Sequence, residues 1–408
     1  MNSTGQTNRS IVGWRILKGL CLCILSGLLW AGLWPFHSPH NQVRWLQKES
    51  GLVFGRYGSI FSSGTFQNTV ANGDESGCLE LWLEPERPEG KHVILSFDES
   101  RHSSAPFSLR QNNTSLAVNR YNIDDHGVVR TAWFEVKNVF GKDEPVVVTV
   151  NLSPRETSVY VDGSLAGVSA IAGHSDNNFS GRLVLANSPN VSDSWSGRIL
   201  GLAIYRRQLS SAEVVQHYET WTRNGPPIVV QGEAPAALYL FNEREGSIVR
   251  NHVNASTNLV VPSHYMVLHP PLLASFRRTY KATWGYWTDV VINIVGFVPL
   301  GFCLFAYLSS LRSVRLAAMA TIAFGFATSF TIEILQAFLP TRSSDTTDII
   351  TNTLGTVIGV ALYRWSLPQS LFTKILTLAT QRLAPSGAHA ITARRIVVSE
   401  SQTICSSK

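Results

Sequence analysis

The chain predicts two architectures in one molecule: an all-β jelly-roll sandwich and an α-helical transmembrane bundle. Two observations carry this. Between Asn41 and Tyr280 short alternating apolar segments are separated by Gly, Asn, Asp and Pro, which is the pattern of many short strands. Outside that region lie apolar runs long enough to cross a bilayer, one near the N-terminus and three between Asp289 and Tyr363. The composition, 408 residues with 44% hydrophobic and 15% charged, suits a membrane bundle plus one soluble domain. The expected domains are a cytoplasmic lead (1–15), an anchor helix (16–34), an extracytoplasmic sandwich (48–265), a three-span membrane domain (289–365) and a cytoplasmic tail (366–408).

The N-terminal run from Ile16 to Trp34 follows Arg9, Arg15 and Lys18. No small-x-small cleavage site follows it. It ends in Trp30-Ala-Gly-Leu-Trp34-Pro35, an interfacial aromatic pattern, so it reads as a retained anchor rather than a signal peptide.

In the soluble region Leu79 to Leu83, Val93 to Phe97, Val146 to Val150, Val159 to Val161, Leu183 to Leu185 and Ile199 to Tyr205 read as strands. Ser210 and Glu213 form a capping-box pattern that opens a helix through Val214, Val215 and Tyr218. Tyr160-Val-Asp-Gly163, Gly197 to Tyr205 and Leu209 to Glu213 resemble the closing half of LamG-like jelly-roll domains of the concanavalin-like lectin/glucanase group. Trp82 and the segment Gly51 to Ile60 fit the same family. Leu238 to Gly246 is similar to the family's opening segment but follows the closing helix, so the resemblance implies a circularly permuted sandwich.

Several candidate sites within this domain weigh little. Glu80, Trp82 and Glu84 alternate onto one strand face, but Trp82 replaces a middle acid and Pro85 ends the strand, against a glycosidase pair. Asp176, Asn177 and Asp193 are weak calcium candidates that read better as solvated turn residues. Cys78 has no disulfide partner in the domain, the five cysteines show no zinc spacing, and the histidines read as surface or turn positions. No cofactor is expected.

The membrane domain concentrates polar residues at one end of its spans, about 289–308, 316–338 and 349–365. Asp289 and Asn293 open the first. Gly325, Ser329 and Glu333 recur every four residues in the second, with Gln336 three further on. Asp345, Asp348, Asn352, Gly355 and Gly359 follow a three-four alternation into the last. Glu333 lies roughly 8 Å from the end of its span at a 1.5 Å rise per residue. Ionisable groups at such depth face a bundle interior or a wet cavity and mark function. Gly296, Gly301, Gly355 and Gly359 let helices approach, and Pro299 removes one ladder bond.

Asp289, Asn293, Phe297, Pro299 and Gly301, then Ser329, Glu333 and Gln336, then Arg342, Asp345, Asp348, Asn352, Gly355 and Gly359 resemble the motif string of the VanZ-like membrane family. The resemblance covers about a quarter of the chain. It implies a small helical membrane protein, linked through the family's founding member to glycopeptide (teicoplanin) resistance.

Past Tyr363 the chain is basic. Residues 368–383 pattern as an amphipathic surface segment and the remainder as disorder. The net charge of +6 comes without any Lys/Arg run of five, and the basic residues flank the apolar runs, which excludes nucleic acid and fits anionic lipid. Arg9, Arg15, Lys18, Arg312, Arg315, Arg364 and Lys374 place the N-terminus inside and the sandwich outside a bacterial plasma membrane, against Arg277, Arg278 and Lys281.

Two function classes follow. The first is a cell-envelope binding protein, its sandwich on a surface glycan or protein and its bundle on a lipid or lipid-linked wall precursor. Here Asp289, Asn293, Glu333, Gln336, Arg342, Asp345, Asp348 and Asn352 form a polar pocket, with Arg342 on phosphate. The second is an intramembrane enzyme or transporter working through Glu333, Asp345 and Asp348. No nucleophile, histidine partner or cofactor loop accompanies those acids, which favours binding.

Overall fold

The computed structural model describes residues 3–67, 76–98, 107–123, 129–141, 144–154, 156–170, 179–190, 192–224, 235–276, 280 and 283–366. The expectations for Asp176, Asn177, Arg277, Arg278, Lys281 and the tail from 367 onward fall outside these residues.

Two compact units divide the chain. One comprises Met1–Ser26, Val295–Gly325 and Leu354–Lys408, and the other Gly27–Ile294 and Phe326–Thr353.

The larger unit holds an antiparallel two-sheet sandwich. The first sheet runs β1 (Val43–Trp45), β2 (Leu52–Phe54), β13 (Gly197–Tyr205), β4 (Gly77–Pro85), β9 (Val146–Leu152), β10 (Glu156–Val161), β11 (Ser164–Ala170), with β14 (Ala237–Tyr239) also on β13. The second runs β15 (Ile248–Val249), β16 (Leu259–Val260), β3 (Ile60–Ser62), β12 (Arg182–Leu185), β5 (Lys91–Asp98), β6 (Phe107–Asn112), β7 (Ser115–Ile123), β8 (Val129–Val136). All six segments expected as strands lie in β4, β5, β9, β10, β12 and β13. The segment Gly51 to Ile60 supplies β2 and the start of β3, one to each sheet. The sandwich also starts earlier than residue 48, at β1.

The centre of the first sheet, β4, β9 and β13, is buried on both sides, which explains its nearly continuous apolar strands. In β4, Leu79, Leu81 and Leu83 enter the core between the sheets, while Cys78 and Trp82 face a second cluster on the outside. In β9, Val148 and Val150 face inward and Val147 outward. The outer cluster is closed by α2 (Ser211–Glu219) and the π-helical turn Thr220–Asn224, through Val214 and Trp221. Ser210 caps α2 as the sequence predicts: its hydroxyl accepts the Glu213 N–H at 3.3 Å, and the Glu213 carboxylate accepts the Ser210 N–H at 2.5 Å.

Burial pushes the Cys78 thiol, fully enclosed here, well above its ordinary value. The segment resembling a displaced opening strand becomes β14, which pairs Leu202 to Ile204 on the edge of β13 that β2 occupies at Gly197 to Ile199.

The incoming and outgoing strands of the sandwich meet. Asn41 N–H donates to Ser263 O at 3.1 Å, the Asn41 amide donates to Pro262 O at 2.9 Å, and His40 bridges His264.

The helices are α1 (Ser3–Leu33), α3 (Trp284–Ser309), α4 (Val314–Gln336) and α5 (Thr346–Ser366). Residues 14–33 of α1, all of α3 and all of α4 are long and apolar enough to cross a membrane. Their exposed side chains are large and apolar: Ile292 and Val295 on α3, Met319 and Phe326 on α4. Pro299 sits inside an unbroken α3. A Cβ on Gly301 would strike the Thr356 main chain, and one on Gly359 the Val298 and Phe302 main chain, so α3 and α5 pack backbone to backbone. Gly296 is half-buried and Gly355 buried.

Candidate functional site

All eight polar residues singled out in the membrane domain belong to one compact unit, and the five packing residues (Gly296, Pro299, Gly301, Gly355, Gly359) to the other. The polar residues gather at adjoining helix ends, where they mostly serve the backbone. Glu333, 1% exposed, accepts the Asp345 N–H at 2.6 Å. Asp345 directly precedes α5, and its carboxylate accepts the Thr347 N–H at 2.8 Å, an N-cap. Asn352 donates to the buried Ser329 hydroxyl at 2.9 Å, and Ser329 reaches the Asp348 carbonyl at 3.5 Å, joining α4 to α5. Asn293 of α3 hydrogen-bonds the Asp348 carboxylate. Asp289 is exposed.

Gln336 and Arg342 turn elsewhere. The Gln336 amide donates to Gly32 O at 2.8 Å. Arg342 donates from Nε to Trp34 O at 2.9 Å and from Nη2 to Trp34 O at 2.7 Å and Ala31 O at 3.1 Å. Arg342, which the sequence reading puts on phosphate, gives these bonds to the open carbonyls at the C-terminal end of α1, where a cation also complements the helix dipole. Among the described residues no acid forms an ion pair with Arg342. The linker after the sandwich is fastened to the same place, since Ala274 N–H donates to Ser344 O at 2.8 Å and Thr346 N–H to Ala274 O at 3.0 Å.

In the sandwich, Glu80 is fully buried. Its carboxylate takes the Tyr205 hydroxyl and the Trp221 indole, each at 3.2 Å, and faces His217 Nδ1 at 3.0 Å. The reading of all histidines as surface or turn residues is thus corrected at His217, 7% exposed. Glu84 pairs with Arg198. These two strand acids brace the fold and do not form a cleft pair.

The outer face of the second sheet is different, because no helix covers it among the described residues. Cross-strand registers set Trp133 opposite Asn119, Asn119 opposite Ser108, and Ser108 opposite Ser96. The next row sets Glu135 opposite Ala117 and Ala117 opposite Arg110. Ala117 is fully buried and Ser108 8% exposed, Asn119 donates its amide N–H to the Ser108 hydroxyl at 3.4 Å, and Trp133 is 50% exposed.

Arg110 Nη2 contacts Asp193 at 2.6 Å, His92 lies 3.5 Å from the same carboxylate, and Asn112 donates to Glu135 at 3.0 Å. Asp193, a calcium candidate in the sequence, is thus held by a cation. At the other end Ser96 donates to Asn187 O at 3.3 Å, and His269 meets Asp98 at 2.8 Å. Burial raises the Asp98 carboxyl above its ordinary value, and His269 opposes the shift. The sequence reading missed this face, although the alternation of Leu109 and Phe107 with Arg110 and Ser108 contains it.

Apolar helices of membrane-crossing length joined to an antiparallel sandwich define a membrane protein with an appended binding-type domain. Its C-terminal part, residues 236–367, matches the VanZ/LLP1 family, and residues 60–215 match the concanavalin A-like lectin/glucanases superfamily; the chain carries both domains. The first match begins ahead of the helices, at β14. Protein VanZ of Enterococcus faecium is 30% identical over 89 residues, covering 22% of this chain and 52% of that protein. The chain therefore spans about half the length of the curated relative it matches.

Solved structures similar to the sandwich include a Bacteroides ovatus protein described as carbohydrate-binding, 13% identical, TM-score 0.37, covering 52% of this chain and 57% of that one. Another is the carbohydrate-binding module of a Ruminococcus gnavus sialidase bound to sialyllactose, 16% identical, TM-score 0.31, covering 42% and 97%.

Proposed function

We propose that the chain is a glycan-binding protein of the bacterial cell envelope, held in the plasma membrane by α1, α3, α4 and α5 as four spans, with its sandwich outside. The observation that carries this reading is the asymmetry of the sandwich. One outer face is sealed by α2 over Val147, Tyr205 and Trp221, while the other carries a half-exposed Trp133 over a buried Ala117 and Ser108. A half-exposed indole suits a sugar, whose C–H face stacks on the ring.

In this reading the polar helix ends are the joint that fixes α1, α5 and the linker, rather than a headgroup pocket. The VanZ-like part extends the proposal to a change in teicoplanin susceptibility when the protein is expressed. The test is calorimetric titration of the full chain in detergent with lactose, chitobiose, maltose and sialyllactose. At least one should bind, and Trp133→Ala should abolish that binding with an unchanged melting curve. Absence of binding to all four, or binding that survives Trp133→Ala, overturns the reading.

A further inference from the structure

We infer that the linker leaving the sandwich is itself a membrane contact: its exposed apolar and aromatic side chains lie in the headgroup layer of the bilayer face nearest the sandwich, without crossing the bilayer. The linker presents Leu272 (58% exposed), Phe276 (49%) and Tyr280 (47%), and α3 then opens with Trp284 and Trp287, also exposed. The rings run on from one another, Phe276 to Tyr280 at 5.4 Å, Tyr280 to Tyr286 at 5.4 Å and Tyr286 to Trp287 at 5.6 Å. A row of large apolar side chains left in water is costly, and such rows mark surfaces that meet a partner or a membrane. This contact adds to the spans and is independent of what the sandwich binds.

What covers the row follows from where the linker is tied. Leu273 N–H donates to the Ser344 hydroxyl at 3.1 Å, Ala274 N–H to Ser344 O at 2.8 Å, and the Thr346 N–H and hydroxyl to Ala274 O, each at 3.0 Å. These bonds hold the linker at the N-terminal end of α5. The same connection carries Arg342, whose bonds to Trp34 O bring in the end of α1. There Trp30, Trp34 and Phe36, all exposed, pack ring against ring at 5.1 to 5.9 Å, and Phe338 is exposed just past α4. The end of α1, the start of α3 and the end of α4, all helices of membrane-crossing length, thus share one level with the linker, and exposed Trp and Tyr mark it. Trp and Tyr concentrate where hydrocarbon gives way to water, because the ring is apolar and its N–H or O–H polar. A linker fastened at that level meets the same lipid.

The experiment puts the photo-crosslinking residue p-benzoylphenylalanine in place of Phe276 in the full chain, reconstitutes the protein in phosphatidylcholine nanodiscs and reads adducts by mass. The same probe at Ile292, exposed on α3 within its membrane-crossing length, and at Leu165, exposed on β11 of the sandwich, sets the two limits. The expected result is a phosphatidylcholine adduct at position 276 in a fraction comparable to that at position 292, with none at position 165. Should the Phe276 variant fail to fold, Tyr280 carries the probe with the same expectation. Lipid adducts at position 292 but at neither 276 nor 280 overturn the inference, and so do adducts at 276 to protein in place of lipid.

Discussion

Arg342 and Trp34, 308 residues apart, are joined by two hydrogen bonds from one guanidinium to one carbonyl, with a third to Ala31. This makes α1 part of the helical domain rather than a detached anchor. Arg342→Gln removes a charged fork from the carbonyls at the C-terminal end of α1, and hydrogen bonds of this kind are worth about 1.5–3 kcal/mol. The variant should melt earlier in detergent with co-purifying lipid unchanged, and Arg342→Lys should rescue only part, because an ammonium cannot serve both carbonyls in a planar fork. Lipid loss without a change in melting would instead support phosphate binding at Arg342.

Asp345 separates capping from chemistry. Its carboxylate bonds the Thr347 N–H, and its own N–H bonds Glu333. Asp345→Ala should cost about 1 kcal/mol of stability, whereas Asp345→Ser, another good N-cap, should cost a few tenths. If Asp345→Ser is as damaging as Asp345→Ala, the residue's charge matters and the capping account fails.

Glu80 tests the seal over the first sheet. Glu80→Ala removes from a closed space the acceptor shared by the Tyr205 hydroxyl, the Trp221 indole and His217, at about 1–3 kcal/mol for a buried donor that loses its partner. Glu80→Gln keeps an acceptor oxygen and should be distinctly milder. Chemical denaturation of the two variants checks the order, and equal losses would show that charge, not hydrogen bonding, holds α2 down.

These residues also show what the sequence could reveal. The strands were legible because alternation survives wherever one face is apolar, as in Leu79, Leu81 and Leu83 against Glu80 and Trp82. The Ser210–Glu213 cap was legible because it is local. Arg342 was not, since its partner is a main chain hundreds of residues away that carries no side-chain signature. His217 left a signal that went unread: Val214, His217 and Trp221 form one helical stripe, and a polar residue within such a stripe needs a buried partner, here Glu80 on a strand of leucines. Gly301 and Gly359 were legible as close-packing positions, but which helix each meets is a tertiary matter.

Asp98 gives a pH-dependent outcome. Its folded carboxyl is raised above the unfolded value by burial, so the ionised form costs stability above that value, and the cost disappears as pH falls through it. Asp98→Asn should therefore match or exceed the parent's melting temperature at neutral pH, with the advantage shrinking toward acid. A variant less stable at neutral pH by more than about 1 kcal/mol would mean that the His269 contact outweighs desolvation.

The last prediction concerns the neck. Pro39 accepts the Tyr265 N–H at 2.9 Å, Asn41 bonds Ser263 and Pro262, and the His40 and His264 rings stack at 5.0 Å, so the sandwich begins and ends at one point. A domain whose termini touch can be removed or added without pulling its host apart. Replacing residues 42–262 with a short Gly/Ser linker should leave a helical protein that still inserts into membranes and retains the Arg342 contacts with α1. Residues 36–268 alone should fold, because both sheets and their core lie within them. The outcomes are read by protease protection for the first fragment and circular dichroism melting for the second. Failure of both fragments would show that the two domains stabilise each other and that the sandwich is not an insertion.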